Sequence, residues 1–248
     1  MLLNGKPPYQ NVKEPVPNSR VWRYMDLAKF IQLISHSKLF FVRLDRLSDQ
    51  LEGTLTLNNI SEIQDRYENL DFPMSKKEAT QRRVREVNDI ENFRKYTLVN
   101  CWTKNVEESF ALWKLYLGNQ PYGISIQSKY SKLKSSIIDN NFSFLFQKVY
   151  YSNIVKDIKQ SSVPFRKNKY YRFENEVRIS VFNQYVKFGG EPKYERGTDV
   201  DVDIKRMIEK IYVSPYSPDW FFDLVNYLVN EKYKYDFPII RSNIKEKY

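Results

Sequence analysis

Tyr171–Val181 reads YRFENEVRISV, and its two faces ask for different neighbours. Val177, Ile179 and Val181 alternate as in a β-strand with one buried side, while Glu174, Glu176 and Arg178 fall on the other. Carboxylates two residues apart on one side of a strand lie roughly 7 Å apart, close enough to raise each other's pKa unless water or a cation intervenes. A charged row on a core strand is costly unless it is paired or meets a ligand. The row is therefore a solvated face, a set of mutual ion pairs or the wall of a pocket.

Working outward from this strand, VWRYM from Val21 predicts an early strand, and Asp26 predicts the cap of a helix carrying Leu27, Phe30, Ile31 and Ile34 on one face. Leu39–Leu44 (LFFVRL) predicts a second strand, and Tyr96–Trp102 (YTLVNCW) a buried one. EESFALWKLY leaves little polar face and predicts a helix largely inside the protein. PYGISIQ reads as a strand with Gly123 at a bulge or close approach, followed by a Lys-rich helix from Lys129 to Ile138. FQKVYYS, IEKIYVSP and a helix from Pro218 to about Lys232, with Trp220, Phe221, Leu224, Tyr227 and Leu228 on its apolar side, complete the pattern. Between Phe182 and the later strand, Gly189 and Gly190 predict a turn.

No regular βαβ rhythm and no internal repeat appear, so the fold class is α+β, a mixed and mainly antiparallel split sheet with flanking helices. Residues 1–19, with Pro7, Pro8, Pro15 and Pro17, read as an extended arm, and 20–248 as one domain. Residues 58–95 read as a polar helical insertion. Ser75 and Glu78 form a capping box there, and Val84, Val87, Ile90 and Phe93 form a narrow apolar stripe.

The 248 residues include 40 Lys and Arg against 30 Asp and Glu, a net charge of +10 that favours contact with nucleic acid or another polyanion. Abundant Lys, Asn, Ile, Tyr and Phe give a second source for that charge, an AT-rich coding sequence. Arg82, Arg83 and Arg85 are the candidate nucleic-acid contacts. A single cysteine, Cys101, excludes an internal disulfide, and a single histidine, His36, excludes a His/Cys metal cluster. No leader and no apolar run of membrane-spanning length appears, so a cytoplasmic protein is expected with no membrane partner. Phosphate-loop, dinucleotide-loop, nucleophile-elbow and zinc-protease signatures are all missing.

Three polar points remain on otherwise apolar strands: Arg23 between Trp22 and Tyr24, then Asn100, Cys101 and Thr103 around Trp102, and the acids Glu174 and Glu176 with Arg178. Pairing of Arg23 or Arg178 with the two glutamates accounts for them without a ligand. A nuclease built on Asp45, Asp49, Glu52, Glu174 and Glu176 with a divalent ion is a second reading, and a non-catalytic nucleic-acid or partner-binding module a third.

VWRYMDLAKFIQLI, DRLSDQLEGT, NCWTKNVEESFALWKLY, PYGISIQ and RFENEVRI, in that order, resemble the bacterial family catalogued as domain of unknown function 2971. An arginine on the first strand, a small polar motif on a middle strand and a later Glu-x-Glu also resemble the arginine-serine-glutamate layout of mono-ADP-ribosyltransferases. That resemblance implies NAD as substrate with no metal, in a defence or toxin context. It implies that Arg23 holds NAD, that Asn100 or Thr103 supports the pocket, that Glu176 is catalytic and that Glu174 orients the acceptor. Tyr24, Trp113 and Arg178 complete the candidate cofactor contacts. The middle motif departs from serine-threonine-serine, and Trp102 stands at its centre.

Overall fold

The computed structural model describes residues 14–49, 52–55, 57–69, 75–152, 160–182 and 191–244. In chain order the strands are β1 (Arg20–Asp26), β2 (Lys38–Arg43), β3 (Thr97–Lys104), β4 (Gly123–Lys129), β5 (Phe144–Lys148), β6 (Tyr150–Tyr151), β7 (Arg166–Lys167), β8 (Glu176–Phe182), β9 (Gly197–Asp201), β10 (Lys210–Val213) and β11 (Ile239–Arg241). The helices are α1 (Leu27–His36), α2 (Leu57–Glu68), α3 (Lys76–Tyr96), α4 (Phe110–Leu117), α5 (Tyr130–Ser136), α6 (Ile204–Met207) and α7 (Asp219–Asn226), the last continued by a π-helical stretch over Tyr227–Lys232. The architecture is α+β, with a mainly antiparallel mixed sheet and flanking helices.

Strand β3 is the axis of the sheet. On one side it pairs with β8 from Thr97↔Phe182 to Thr103↔Glu176, and β5 lies beyond. On the other side β1 holds only its end, at Trp22↔Thr103 and Val21↔Lys104, and β2 only its beginning, at Val42↔Val99 and Arg43↔Leu98. β1 and β2 then splay apart, β1 to pair with β4 and β2 with β9, so among the described residues the edge of β3 from Asn100 to Trp102 has no strand against it. Backbone groups along such a gap need other partners. Arg23 donates from Nη1 to the Cys101 carbonyl at 2.6 Å, and Asn100 donates from Nδ2 to the Phe40 carbonyl at 2.9 Å.

One face of the sheet carries Val21, Met25, Trp102, Ile124, Ile126, Val177 and Ile179, packed under Phe30, Leu33 and Ile34 of α1 and under Phe221 and Val225 of α7. Asp26 caps α1 by accepting from the Lys29 amide at 2.8 Å, and Ser37 ends it in the left-handed conformation. The other face carries two smaller clusters. Trp22 and Tyr24 pack on Leu112, Trp113 and Leu117 of α4, while Leu44 and Val99 pack on Ile63, Ile90 and Phe93 of the α2–α3 insertion. Gly123 lets the two layers close. A Cβ there would lie 2.2 Å from Leu117 Cδ1, which is the close approach its place in the strand predicts.

Several local expectations need correction. The capping box at Ser75 is present, but Val84 is solvent-exposed, so the α3 stripe reduces to Val87, Ile90 and Phe93. The α4 helix is buried only through Leu112, Trp113 and Leu117, because Phe110 and Leu115 are exposed and Tyr116 lies half-exposed at a cleft. Trp220 and Tyr227 are exposed on α7, and Tyr122 precedes its strand. Of the arm, only 14–19 falls among the described residues, and it lies on α5: Glu14 accepts from Tyr130 Oη at 2.6 Å and from Lys134 Nζ at 2.8 Å. The Gly189–Gly190 turn lies outside the described residues.

Candidate functional site

The splay of β1 from β2 opens a cleft of about 510 Å³, inside the roughly 300–1,000 Å³ of small-molecule sites. Arg23, Cys101 and Thr103 line it from the sheet, Phe40 from β2, Tyr116 from α4, and Lys29 and Lys38 line it as further cations. Among the described residues no carboxylate lines the cleft. Lys29 is bonded to Asp26 at 2.7 Å and Lys38 to Asp201 at 3.0 Å, both at exposed positions. Arg23 differs from them. Among the described residues its hydrogen-bond partners are the Cys101 carbonyl and, at 3.3 Å, Asn100 Oδ1, both neutral, and burial lowers its pKa. A guanidinium enclosed without a carboxylate favours an anion beside it.

Asn100 organises this floor. Its Oδ1 accepts from Trp102 Nε1 at 2.8 Å and from Arg23, while its amide donates to β2, so one side chain ties both lips of the gap to β3. Tyr24 lines the cleft, its hydroxyl accepting from the Ser109 amide at 2.8 Å, and Tyr116 stacks beside it at 6.0 Å with an interplanar angle of 11°. Trp113 lies behind Tyr24, edge-on at 4.9 Å and fully buried, with Nε1 donating to Glu108. Trp102 is likewise a core residue. Exposure therefore leaves Tyr116 as the aromatic of these four best placed to meet a ligand ring.

The acids stand next to the cleft, within a buried ion cluster. Glu176 and Arg178 point to the same side of β8 as Thr103 and Cys101 of β3. Glu174 does not continue their row. It ends a 3-10 turn (Lys169–Glu174), and Asn175 then turns through the left-handed region at φ 43° before the strand begins. Lys167 of β7 reconnects it, donating to Glu174 at 2.6 Å and lying 3.8 Å from Glu176 and 3.6 Å from Glu52. Arg178 bonds both Glu176 and Glu52, and donates to the Pro164 carbonyl at 2.7 Å. Three carboxylates thus share two cations, and mutual pairing with Arg178 accounts for Glu176. Arg23 takes no part in these ion pairs.

The acids Glu174 and Glu176 are driven apart. Burial favours the neutral form of Glu176, but Arg178 and Lys167 outweigh it and hold its carboxyl below the usual range. Burial, and then the charge of Glu176, raises Glu174. Cys101 lies between cluster and cleft, its thiol bonded to Glu176 and pushed up to about 12, first by burial. The linkage follows in sign. Glu176 contributes stability above the ordinary carboxylate pKa that is lost as pH falls through its depressed value. Glu174 contributes stability at low pH that is lost as pH rises from the ordinary value through its raised one. Glu174→Gln should therefore remove the alkaline-side decline of this window and keep the acid-side loss, as read by urea denaturation from pH 3 to 8.

Of the acids proposed for a metal-dependent nuclease, Glu52 joins Glu174 and Glu176, but Asp45 is turned away onto Arg43 at 2.6 Å. Among the described residues no group of three His, Cys, Asp or Glu side chains is arranged to hold a metal ion, and no helix is long and apolar enough to cross a membrane. Arg82 and Arg85 are exposed on α3 and Arg83 is partly so. Sequence reasoning did not find Lys167. Its signal was only a lysine in a polar loop, and nothing local marks it as the partner of three acids.

No family model matches the chain, so the resemblance to domain of unknown function 2971 is not confirmed, and no curated protein matches it either. Among solved structures it is similar to Thermus sp. 2.9 DarT in complex with NAD+, at 9% identity and a TM-score of 0.41, covering 93% of this chain and 98% of that one. The same DarT in complex with ADP-ribosylated ssDNA gives 9% identity and 0.41 over 93% and 97%. At that score the overlap is loose, and function rests on the residues above.

Proposed function

We propose that the cleft binds NAD and that the protein is an NAD-cleaving or ADP-ribosyl-transferring enzyme. The observation that carries this reading is Arg23, a guanidinium at the floor of a nucleotide-sized cleft with neutral acceptors and, among the described residues, no carboxylate bonded to it. Its planar fork suits a pyrophosphate. Tyr116 offers a face for a ring, and Thr103 a hydroxyl beside it. When the bond between nicotinamide and ribose breaks, its electron pair leaves with nicotinamide and positive charge develops at the anomeric carbon. Glu176, ionised and one side chain behind the wall at Cys101, is the group that would stabilise that charge. Glu174, with its raised pKa, would orient and deprotonate the acceptor.

A nucleic-acid acceptor would meet the exposed Arg82 and Arg85 of α3. One observation favours a second reading: Glu176 is tied to Arg178 and Lys167, as expected of a structural ion pair in a protein that binds a nucleotide without cleaving it.

Titration calorimetry with NAD and chromatographic assay of released nicotinamide test both. Arg23→Met should weaken NAD binding about tenfold or more, the equivalent of the roughly 1.5–3 kcal/mol of a charge-assisted contact. Binding without release selects the second reading. Binding unchanged in Arg23→Met would remove the basis of both.

A further inference from the structure

We infer that a second recess, of about 390 Å³ where β3 ends and β8 begins, binds a phosphate group. Arg20, Lys104, Asn18, Asn105, Asn175 and Val106 line it, two cations and three carboxamides with no carboxylate among them. Its walls are fixed from within. Asn175 donates from Nδ2 to the Lys104 carbonyl, and Trp22 donates from Nε1 to the Asn105 carbonyl at 2.9 Å. The Lys104 amide also bonds the Asn175 carbonyl at 2.9 Å, so the loop ends are closed onto each other.

The charge in this recess is poorly matched by the protein. Among the described residues the Lys104 ammonium has no acidic partner. Arg20 donates from Nη1 to the Val106 carbonyl at 2.8 Å and meets Glu107 at 3.5 Å, a pair in which Glu107 is 79% exposed. Exposed pairs of that length hold weakly and yield to a competing anion. A phosphate accepts from an ammonium, a guanidinium and amide N–H groups together, which is the donor set assembled here.

The position relates this recess to the cleft. Trp22 lines the cleft and bonds Asn105 of the recess, and Glu176 directly follows Asn175. A phosphate-bearing acceptor held at Arg20 and Lys104 would sit beside the end of β8 that carries Glu176. That extension rests on the transferase reading, whereas the phosphate site itself does not.

The test titrates inorganic phosphate into the ¹⁵N-labelled protein and follows the side-chain amides of Asn18, Asn105 and Asn175. Saturable shifts below about 20 mM, weakened about tenfold in Lys104→Gln and in Arg20→Gln, are expected. A short single-stranded oligonucleotide follows as competitor. If it binds more tightly than phosphate with a steep salt dependence, the source is a nucleic-acid backbone. If it binds no more tightly, the source is a small phosphorylated molecule. Nicotinamide release into water by Lys104→Gln should equal wild type, so failure of the cleft reading is seen separately. No shift at about 20 mM, or equal shifts in both variants, overturns the phosphate site.

Discussion

Arg178→Met is expected to lower the free energy of unfolding by about 3–5 kcal/mol, seen as a fall in urea midpoint at unchanged slope. Arg178 is completely buried, and it bonds both Glu52 and Glu176. Burial by itself disfavours its charged form, but Cys101, Glu176 and Glu52 outweigh that and hold its pKa well above the ordinary range. In wild type, Glu52, Glu174 and Glu176 face Lys167 and Arg178; in the variant the same three acids face Lys167 alone. Methionine fills similar volume, so the loss is electrostatic and not a cavity effect. Arg178→Lys keeps the charge but surrenders the fork that reaches two carboxylates and the Pro164 carbonyl, and should fall between. A change within about 1 kcal/mol for Arg178→Met would show that the acids are neutral in the folded state, contrary to the paired cluster.

How far the residues announced this arrangement differs from element to element. β1, β2, β3, β4 and β8 were legible because each carries a short β-branched and aromatic run, and α1 and α3 because Asp26 and Ser75 are capping residues followed by helical spacing. β9 and β11 were not, since Gly197–Asp201 and Ile239–Arg241 have no pattern of their own and are strands only because β2 and β10 offer them an edge. Exposure along α4 and α7 was misread for one reason. Apolar spacing tells which residues share a stripe, not how wide the covering layer is, and Phe110, Tyr116, Trp220 and Tyr227 lie past its border. The polar points fared by the same logic. Arg23 and the Asn100–Thr103 stretch meet because neighbouring strands carry them, which order along the chain suggests. Glu52 arrives from a turn and Lys167 from a two-residue strand, neither of which a local pattern encodes.

Glu176→Gln should reduce nicotinamide release by about 10²–10³-fold while leaving NAD affinity within about threefold of wild type, since a fixed charge acts on the transition state and not on the bound ground state. The fold should survive this change. Removing one acid leaves Glu52 and Glu174 against Lys167 and Arg178, a balanced set, and the glutamine oxygen can still accept from Arg178. That balance separates this variant from Arg178→Met, where charge is left uncompensated, and makes lost turnover interpretable as chemistry. Glu174→Gln balances the cluster equally well and is the matching control: it should spare release into water and reduce transfer to an acceptor. Equal losses in both variants would place the effect in the cluster as a structural unit. Wild-type release by Glu176→Gln would take the carboxylate out of the reaction and leave Arg23 and the cleft as a binding site alone.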